Sequence, residues 1–516
     1  MCSYRAISTL SVILLFGMAQ TFAQPGTVWS WGRNSEGVIG NGGSPHLSSP
    51  DVAINLSHVV SLKAGGWHML GLRDDGTVWS WGNNAQGQLG DGSNTLRKAP
   101  VAVQGVSSVS AIGAGIHHSL AVLGNGTVVA WGSNSRGQLG DGTTSDRNVP
   151  APVPGLDNVV AVAGGMFHSL ALRADGTVWA WGANESGQLG DGTTQDRTTP
   201  VRVSSLAGVV QIATKTWHCL ALLADGSVRA WGSNTYGEIG NGTLIAQPSP
   251  TATSGLADVA SIATGDRFSL AVLRNGEVWT WGYNGYGQLG DGTTSNRRTP
   301  VRVPDLTDCI QIAGAGAHSA ALRRDGSVWS WGRGYDGELG DGSNSPRSFV
   351  PVRVKSLTNV GMVVAGMQHS SALSPAIAGT VNLQDILIRN LATATFKVRN
   401  ASTNHEFGPW EVRVGLAGEF IFPAPPPGTY HVTAWGKTFL SDTVGPVDLT
   451  NGHTGLAFDL VNGDANGDNR IDIADFVELR RRMAGSDSGS ADFNRDGSVN
   501  VADFLILRKN FGRSGT

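Results

Sequence analysis

The chain has 516 residues, 72 of them glycine, with only 15% charged and a formal net charge of -3. So long a chain exceeds what one hydrophobic core organises, and several domains are expected. The near-neutral balance lacks the basic stripe of a nucleic-acid binder, and the glycine load, without a Gly-X-Y period, points to an all-β chain with many tight turns.

The N-terminus reads as an export signal. Arg5 precedes an apolar stretch from Leu10 to Met18, and Thr21-Phe22-Ala23 fits a peptidase site before Gln24, so residues 1–23 are expected to be removed. The stretch is short for a membrane span, and no later segment approaches that length. The mature chain is therefore expected to be secreted or held at the cell surface. Loss of Cys2 leaves Cys219 and Cys309 at different repeat positions, which favours buried thiols over a disulfide framework.

From residue 25 to 374 the sequence repeats. Trp-Gly recurs at Trp31, Trp81, Trp131, Trp181, Trp231, Trp281 and Trp331, at a constant step of 50. His68, His118, His168, His218, His318 and His369 form a second series in which Phe268 replaces one histidine; its last step is 51, one residue being inserted near Ser348-Phe349-Val350. Within a unit, His168 to Leu172 and Thr177 to Trp181 alternate in the manner of strands around Ala174-Asp175-Gly176, a hairpin signal. Pro200-Val201 and the apolar run from Val209 to Ala213 supply the remaining strands. About four strands per unit make a propeller blade, and the Gly and Pro load excludes a helical solenoid. Thr27 to Trp31 opens the domain inside a hairpin and His369 to Leu373 closes it with the complementary strand. Pairing the two would build one blade from both chain ends and leave no free sheet edge.

Residues repeated in every unit are expected to be structural. The tryptophans pack between sheets, the histidines hydrogen-bond a neighbouring strand, and Asp91, Asp141, Asp191, Asp291 and Asp341 cap their own turns. Sites belong at positions that differ. One precedes the repeated histidine and holds Trp67, His117, Phe167, Trp217, Arg267, Ala317 and Gln368; another follows Trp-Gly and holds Tyr236, Tyr283, Tyr286 and Tyr335. The Asp-Gly turn occupies one end of the hairpin, so both places share the other. A protein or glycan is expected to bind there on Trp67, Phe167, Trp217, Tyr236, Tyr283, Tyr286 and Tyr335; the competing reading has these aromatics filling gaps between loops. No Gly-x-Ser-x-Gly, Walker or His-Glu-x-x-His motif occurs, and no catalytic residues are expected.

The Trp-Gly and Gly-Gln-Leu-Gly-Asp-Gly signatures resemble the regulator-of-chromosome-condensation repeat, also called the alpha-tubulin-suppressor repeat. The resemblance implies a closed seven-bladed β-propeller. It also brings two precedents: nucleotide exchange on the small GTPase Ran, which the export signal opposes, and inhibition of β-lactamase by secreted bacterial propellers.

Residues 376–460 lose the repeat. Val381, Phe396-Lys397-Val398, Trp410 to Val414 and Tyr430 to Ala434 read as short strands. Gly418 to Phe422 and Pro425 to Tyr430 resemble the carboxypeptidase-regulatory-like β-sandwich, which implies a spacer or adhesion module of about seven strands.

Over residues 462–513, oxygen-bearing side chains fall at positions 1, 3, 5, 9 and 12 of a loop, as Asp464, Asn466, Asp468, Asp472 and Asp475, and twenty-eight residues later as Asp492, Asn494, Asp496, Asn500 and Asp503. Calcium takes six to eight oxygens, and a twelve-residue loop wraps it at this spacing, with Arg470 and Ser498 giving backbone carbonyls at position 7. Two Ca2+ sites are expected. Gly497 holds the sharp-turn position of the second loop and Asn469 that of the first. Ile473, Phe476, Val477 and Met483 mark one apolar helix face, repeated by Val501, Phe504, Leu505 and Phe511. Loop plus helix, duplicated, with Asp at position 12, resembles a dockerin type I domain, which implies a cohesin-like partner. Ile473-Ala474 and Val501-Ala502 depart from the Ser-Thr common at positions 10 and 11, which puts the choice of cohesin in doubt. A mainly β, monomeric, exported binding protein with a calcium-dependent tail is the reading these features favour; a component of extracellular polysaccharide degradation is the alternative.

Overall fold

The computed structural model describes residues 26–383, then the segments 393–402, 406–413, 419–423, 429–436, 439–448 and 453–460, with residues 404, 469–471, 475, 493, 506–507, 509–511 and 513–514. Six blades grow from an Asp-Gly or Asn-Gly turn, of which the one at Asp175-Gly176 is typical. Gly176 stands at φ 76°, its N–H closes the turn on the Arg173 carbonyl at 3.0 Å, and the Asp175 carboxylate accepts from the Thr177 N–H at 3.0 Å. A three-residue loop ending in a left-handed residue matches the twist of the strands it joins. It sets strand His168–Arg173 against Val178–Gly182 in register from His168↔Gly182 to Leu172↔Val178. Strand Val159–Gly164 adds on the inner side and Arg197–Arg202 on the outer, completing four antiparallel strands.

Six such blades start at Val59, Val109, Val159, Val209, Val259 and Cys309, here blades 1 to 6. Blade 7 is built from both ends of the repeat: Met362–Ala365 and His369–Leu383 from one, Gly26–Gly32 and Leu47–Val52 from the other. Ser30 Oγ meets Ser371 Oγ at 2.8 Å and the Arg33 N–H donates to the Gln368 carbonyl at 2.9 Å across this clasp. The clasp is therefore formed as the alternation of the two terminal segments requires.

Blades are joined by the repeated residues. All seven Trp-Gly tryptophans are fully buried. Each donates its Nε1–H to a carbonyl of the preceding blade, as Trp181 does to Gln138 at 2.8 Å, and Trp31 carries the same bond to Glu338 at 2.9 Å where the ring closes. His118 Nε2 lies 2.9 Å from Ser169 Oγ of the next blade, and Ser169 in turn donates to the Gln138 carbonyl at 2.8 Å. That serine proton is committed, so the histidine is the donor and its Nε2 carries hydrogen. His68, His218 and His318 repeat the bond to Ser119, Ser269 and Ser370, whereas His168 meets Cys219 Sγ and Thr214 Oγ1, and His369 meets Met69 Sδ.

Residues 374–516 form a second compact unit. One sheet runs Glu406–Arg413, Thr393–Asn400, Thr429–Gly436, Phe439–Asp448. The later part of strand His369–Leu383 pairs antiparallel with Glu419–Pro423 and parallel with His453–Leu460. Among the described residues these make seven strands in two sheets, and Phe396, Val398, Tyr430, Val432 and Ala434 are buried. In the tail, the Ile471 N–H donates to the Arg513 carbonyl at 2.8 Å, and Ile471, Phe493 and Leu507 are buried. Among the described residues no helix is long and apolar enough to cross a membrane.

Candidate functional site

The hairpin register fixes where the variable positions meet. The carbonyl of the residue before the repeated histidine accepts from the residue after Trp-Gly: Trp67 from Asn83 at 2.8 Å, Phe167 from Ala183 at 2.8 Å, Trp217 from Ser233 at 2.9 Å and Arg267 from Tyr283 at 2.8 Å. Both places therefore lie together, at the blade end opposite the Asp-Gly turns. Four of the seven expected aromatics form two pairs there. The Phe167 and Trp217 rings meet edge to face at 6.0 Å, bridging blades 3 and 4. Tyr236 and Tyr283 do so at 4.9 Å, bridging blades 4 and 5. Arg267, at φ 65°, stacks 5.3 Å over Tyr236 and donates from Nη1 to its hydroxyl at 3.2 Å. A non-glycine residue in that conformation costs backbone energy and is held by its surroundings. Tyr286 and Tyr335 are exposed, Tyr335 at 60%, with Arg333 stacked 5.4 Å from its ring. Trp67 is half-buried and has no ring partner among the described residues.

This arrangement suits recognition. Flat aromatic surfaces flanked by a stacked guanidinium bury area at little rotamer cost. The repeated polar residues are committed to scaffolding. Asp91 pairs with Arg97 at 2.8 Å and accepts from the buried Asn84, whose own Oδ1 accepts from the Leu89 N–H. Burial raises the Asp91 carboxyl, but hydrogen bonds from Ser93 and Arg97 outweigh it and hold the group below the usual range. Burial drives the repeated histidines down to about 3 and pushes the Cys219 thiol up to about 12, so these groups stay neutral and unreactive at neutral pH.

Two charged residues escaped the sequence reading. Three places before the repeated histidine stand Gly65, Gly115, Gly165, Gly265, Ala315 and Gly366, but in blade 4 the residue is Lys215. Its Nζ crosses the propeller axis and donates to the Ala365 carbonyl at 2.7 Å and the Ala64 carbonyl at 2.9 Å. Lys63 breaks a second row of small residues in blade 1. Comparing equivalent positions, the test that found the aromatics, would have found both.

In the tail, Asn469 takes φ 65°, the left-handed turn expected of loop position 6. Its Oδ1 accepts from the Ser441 N–H at 2.7 Å and its Nδ2 donates to Ser441 Oγ at 2.9 Å. Asp475, at position 12, is fully buried. A buried carboxylate closing a loop with a left-handed sixth residue fits a calcium loop. Arg470 is among the described residues; Asp464, Asn466, Asp468, Asp472, Asp492, Asn494, Asp496, Ser498, Asn500 and Asp503 lie outside them.

Family models match an RCC1-like domain over residues 11–256, regulator of chromosome condensation (RCC1) repeats over 275–322 and 325–373, and a dockerin type I domain over 462–512. Among solved structures, Prp20p from Saccharomyces cerevisiae is 26% identical, covers 70% of this chain and 93% of its own, and superposes with a TM-score of 0.62. Its structure was described together with its binding to Gsp1p and histones. Yeast RCC1 (Prp20) bound to Kap60 gives 25%, 72%, 94% and 0.63 in the same order, and human WBSCR16 gives 26%, 68%, 98% and 0.61. No curated protein matches the sequence.

Proposed function

The chain belongs to the RCC1-repeat propellers and ends in a dockerin type I domain, and on that basis we propose that it is an exported, non-catalytic binding protein that holds a protein partner on its aromatic propeller face and attaches through its tail. The observation that carries this reading is the run of paired rings across blades 3 to 5, Phe167 with Trp217 and Tyr236 with Tyr283, with Arg267 stacked on the second pair. A protein is favoured over a glycan because Prp20p, of the same repeat, binds proteins. In the tail, Asp464, Asn466, Asp468, Asp472, Asp475 and the Arg470 carbonyl would hold one calcium, and Asp492, Asn494, Asp496, Asn500, Asp503 and the Ser498 carbonyl a second. Calcium would supply the positive charge around which two acidic loops fold, presenting the module to a cohesin-like partner.

The test is capture from the parent organism's secretome on the immobilised mature chain, with a glycan screen alongside. A defined protein should be retained by the wild type and lost by the Trp217→Ala/Tyr283→Ala/Tyr286→Ala variant at an unchanged melting temperature. Equal retention by that variant, or release of sugar from any glycan, overturns the proposal.

A further inference from the structure

The seven inner strands enclose a cavity of about 300 Å³ along the propeller axis, with a narrower stretch of about 200 Å³ continuing toward the aromatic end. One row of residues facing it is Gly113, Ala163, Ala213, Ala263, Ala313 and Val364, and in blade 1 that row carries Lys63. The Lys63 ammonium has no hydrogen-bond or ion-pair partner among the described residues. At the aromatic end Lys215 spans the axis to the Ala64 and Ala365 carbonyls and forms a floor. At the other end Arg274 and Arg324, in the blade 5 and blade 6 turns, join the lining. None of the lining residues of either stretch is acidic. On the turn face Asp308 is engaged with Arg323 and Asp74 with His58.

A cation inside a protein needs either water or a counter-charge, and carbonyl dipoles replace only part of that. Burial, and for Lys215 also the neighbouring Lys63, pulls both ammonium groups down, Lys215 to about 7. Nothing in the fold demands a lysine here, since the equivalent positions elsewhere are small. Gln311 adds a donor: its Oε1 accepts from the Val363 N–H at 2.9 Å, which leaves its amide N–H groups without a partner among the described residues. By contrast Gln211 spends both ends of its amide on Ile262.

We propose that the axial cavity is a binding well for a small oxyanion, which enters past Arg274 and Arg324 and is held by the Lys63 ammonium and the Gln311 amide above the Lys215 floor. The well has the size of a small-ligand site, and every charged side chain that lines it is cationic, which favours phosphate or carboxylate over a cation.

The full chain, in phosphate-free buffer at fixed ionic strength, is titrated calorimetrically with inorganic phosphate in one arm and acetate in the other. Saturable heat is expected with at least one, and the tighter arm identifies the ligand class. Lys63→Met should weaken that binding by about tenfold or more, as the loss of one charge-assisted bond does. Lys63→Arg should retain it. Without anion, Lys63→Met should melt no lower than the wild type, because it removes an uncompensated charge; a structural role would lower it. Absence of heat with both anions up to millimolar concentration, or unchanged affinity in Lys63→Met, overturns the proposal.

Discussion

Lowering the pH from 7.5 to 5.5 should unfold most of the propeller's stability margin, and the histidines set the amount. His68, His118, His168, His218, His318 and His369 are buried, and burial holds each at about 3. In the unfolded chain each titrates near 6.5. A base with a lowered folded value stabilises the fold above the unfolded value and loses that contribution as the pH falls toward the folded one. At pH 5.5 the unfolded chain has bound nearly six protons that the folded ring cannot accept, at about 1.4 kcal/mol each, or roughly 8 kcal/mol together. Native domains hold about 5–15 kcal/mol in total. The turn aspartates Asp91, Asp141, Asp191 and Asp291 are held below the carboxylate range, so their contribution is lost only as the pH falls below about 4, outside this window. Calorimetric melts at pH 7.5, 6.5 and 5.5 should therefore show a steep fall in the propeller transition below 6.5. His118→Phe, which copies Phe268 in blade 5, leaves Ser169 its bond to Gln138 and removes one titrating group. Its melting temperature should depend less steeply on pH, by about one part in six of the histidine effect. A wild-type transition that stays level from pH 7.5 to 5.5 would refute the claim that the ring depends on neutral, dry imidazoles.

Trp181→Ala removes a fully buried ring and its bond to blade 2, and should cost about 3–5 kcal/mol in urea unfolding, whereas Trp179→Ala, half-buried under Arg173, should cost about 1 kcal/mol or less. Gly32→Ala puts a methyl 2.7 Å from the Gln368 carbonyl at φ 101°, and should loosen the clasp enough to lower the melting point by several degrees; deletion of residues 27–32 should lower it far more, and an unaltered melt of the deletion would end the idea that the clasp closes the ring. Chelation of calcium should abolish the helical circular-dichroism signal of the tail while the propeller transition stays in place; a tail signal indifferent to chelator would remove calcium from its folding.

The ring was legible because repetition averages away local ambiguity. One Asp-Gly turn predicts a hairpin weakly, but six Asp-Gly or Asn-Gly turns in step, with the Trp-Gly series repeated seven times, also predict the partner strands and the number of blades. The clasp was legible for the same reason, since the repeat region opens and closes with complementary parts of one unit. The sequence also placed Asn469 at a left-handed position, because loop spacing dictates backbone conformation as well as ligand type. Contacts between blades were less accessible. Alternation puts Tyr236 and Tyr283 on one face, but only the stagger of neighbouring blades makes their rings meet at 4.9 Å and brings Arg267 over one of them. Lys63 and Lys215 were missed because a lysine in a strand ordinarily reads as solvated. Only ring closure turns the inner strands toward one another, burying Lys215 and setting the half-buried Lys63 on the wall of the axial cavity.

The same closure separates the two candidate sites. The aromatic pairs stand at the end of the blades opposite the Asp-Gly turns, and the cavity is entered from the turn end, where Arg274 and Arg324 sit. Lys215, only 6% exposed and tied to carbonyls on the far side of the axis, lies between them. A partner on the aromatic face would touch the floor of the well from outside and could not reach Lys63. Saturating phosphate or acetate should therefore leave the affinity of the captured partner unchanged, and Lys63→Met should leave capture intact. Breaking the floor is different. Lys215→Ala removes the bar across the axis and should open the cavity at both ends, weakening the anion while sparing the ring contacts of Trp217 with Phe167. Competition between partner and anion in the wild type would mean that the two occupy one continuous site, and the division of the propeller into an aromatic face and a turn-side well would fall.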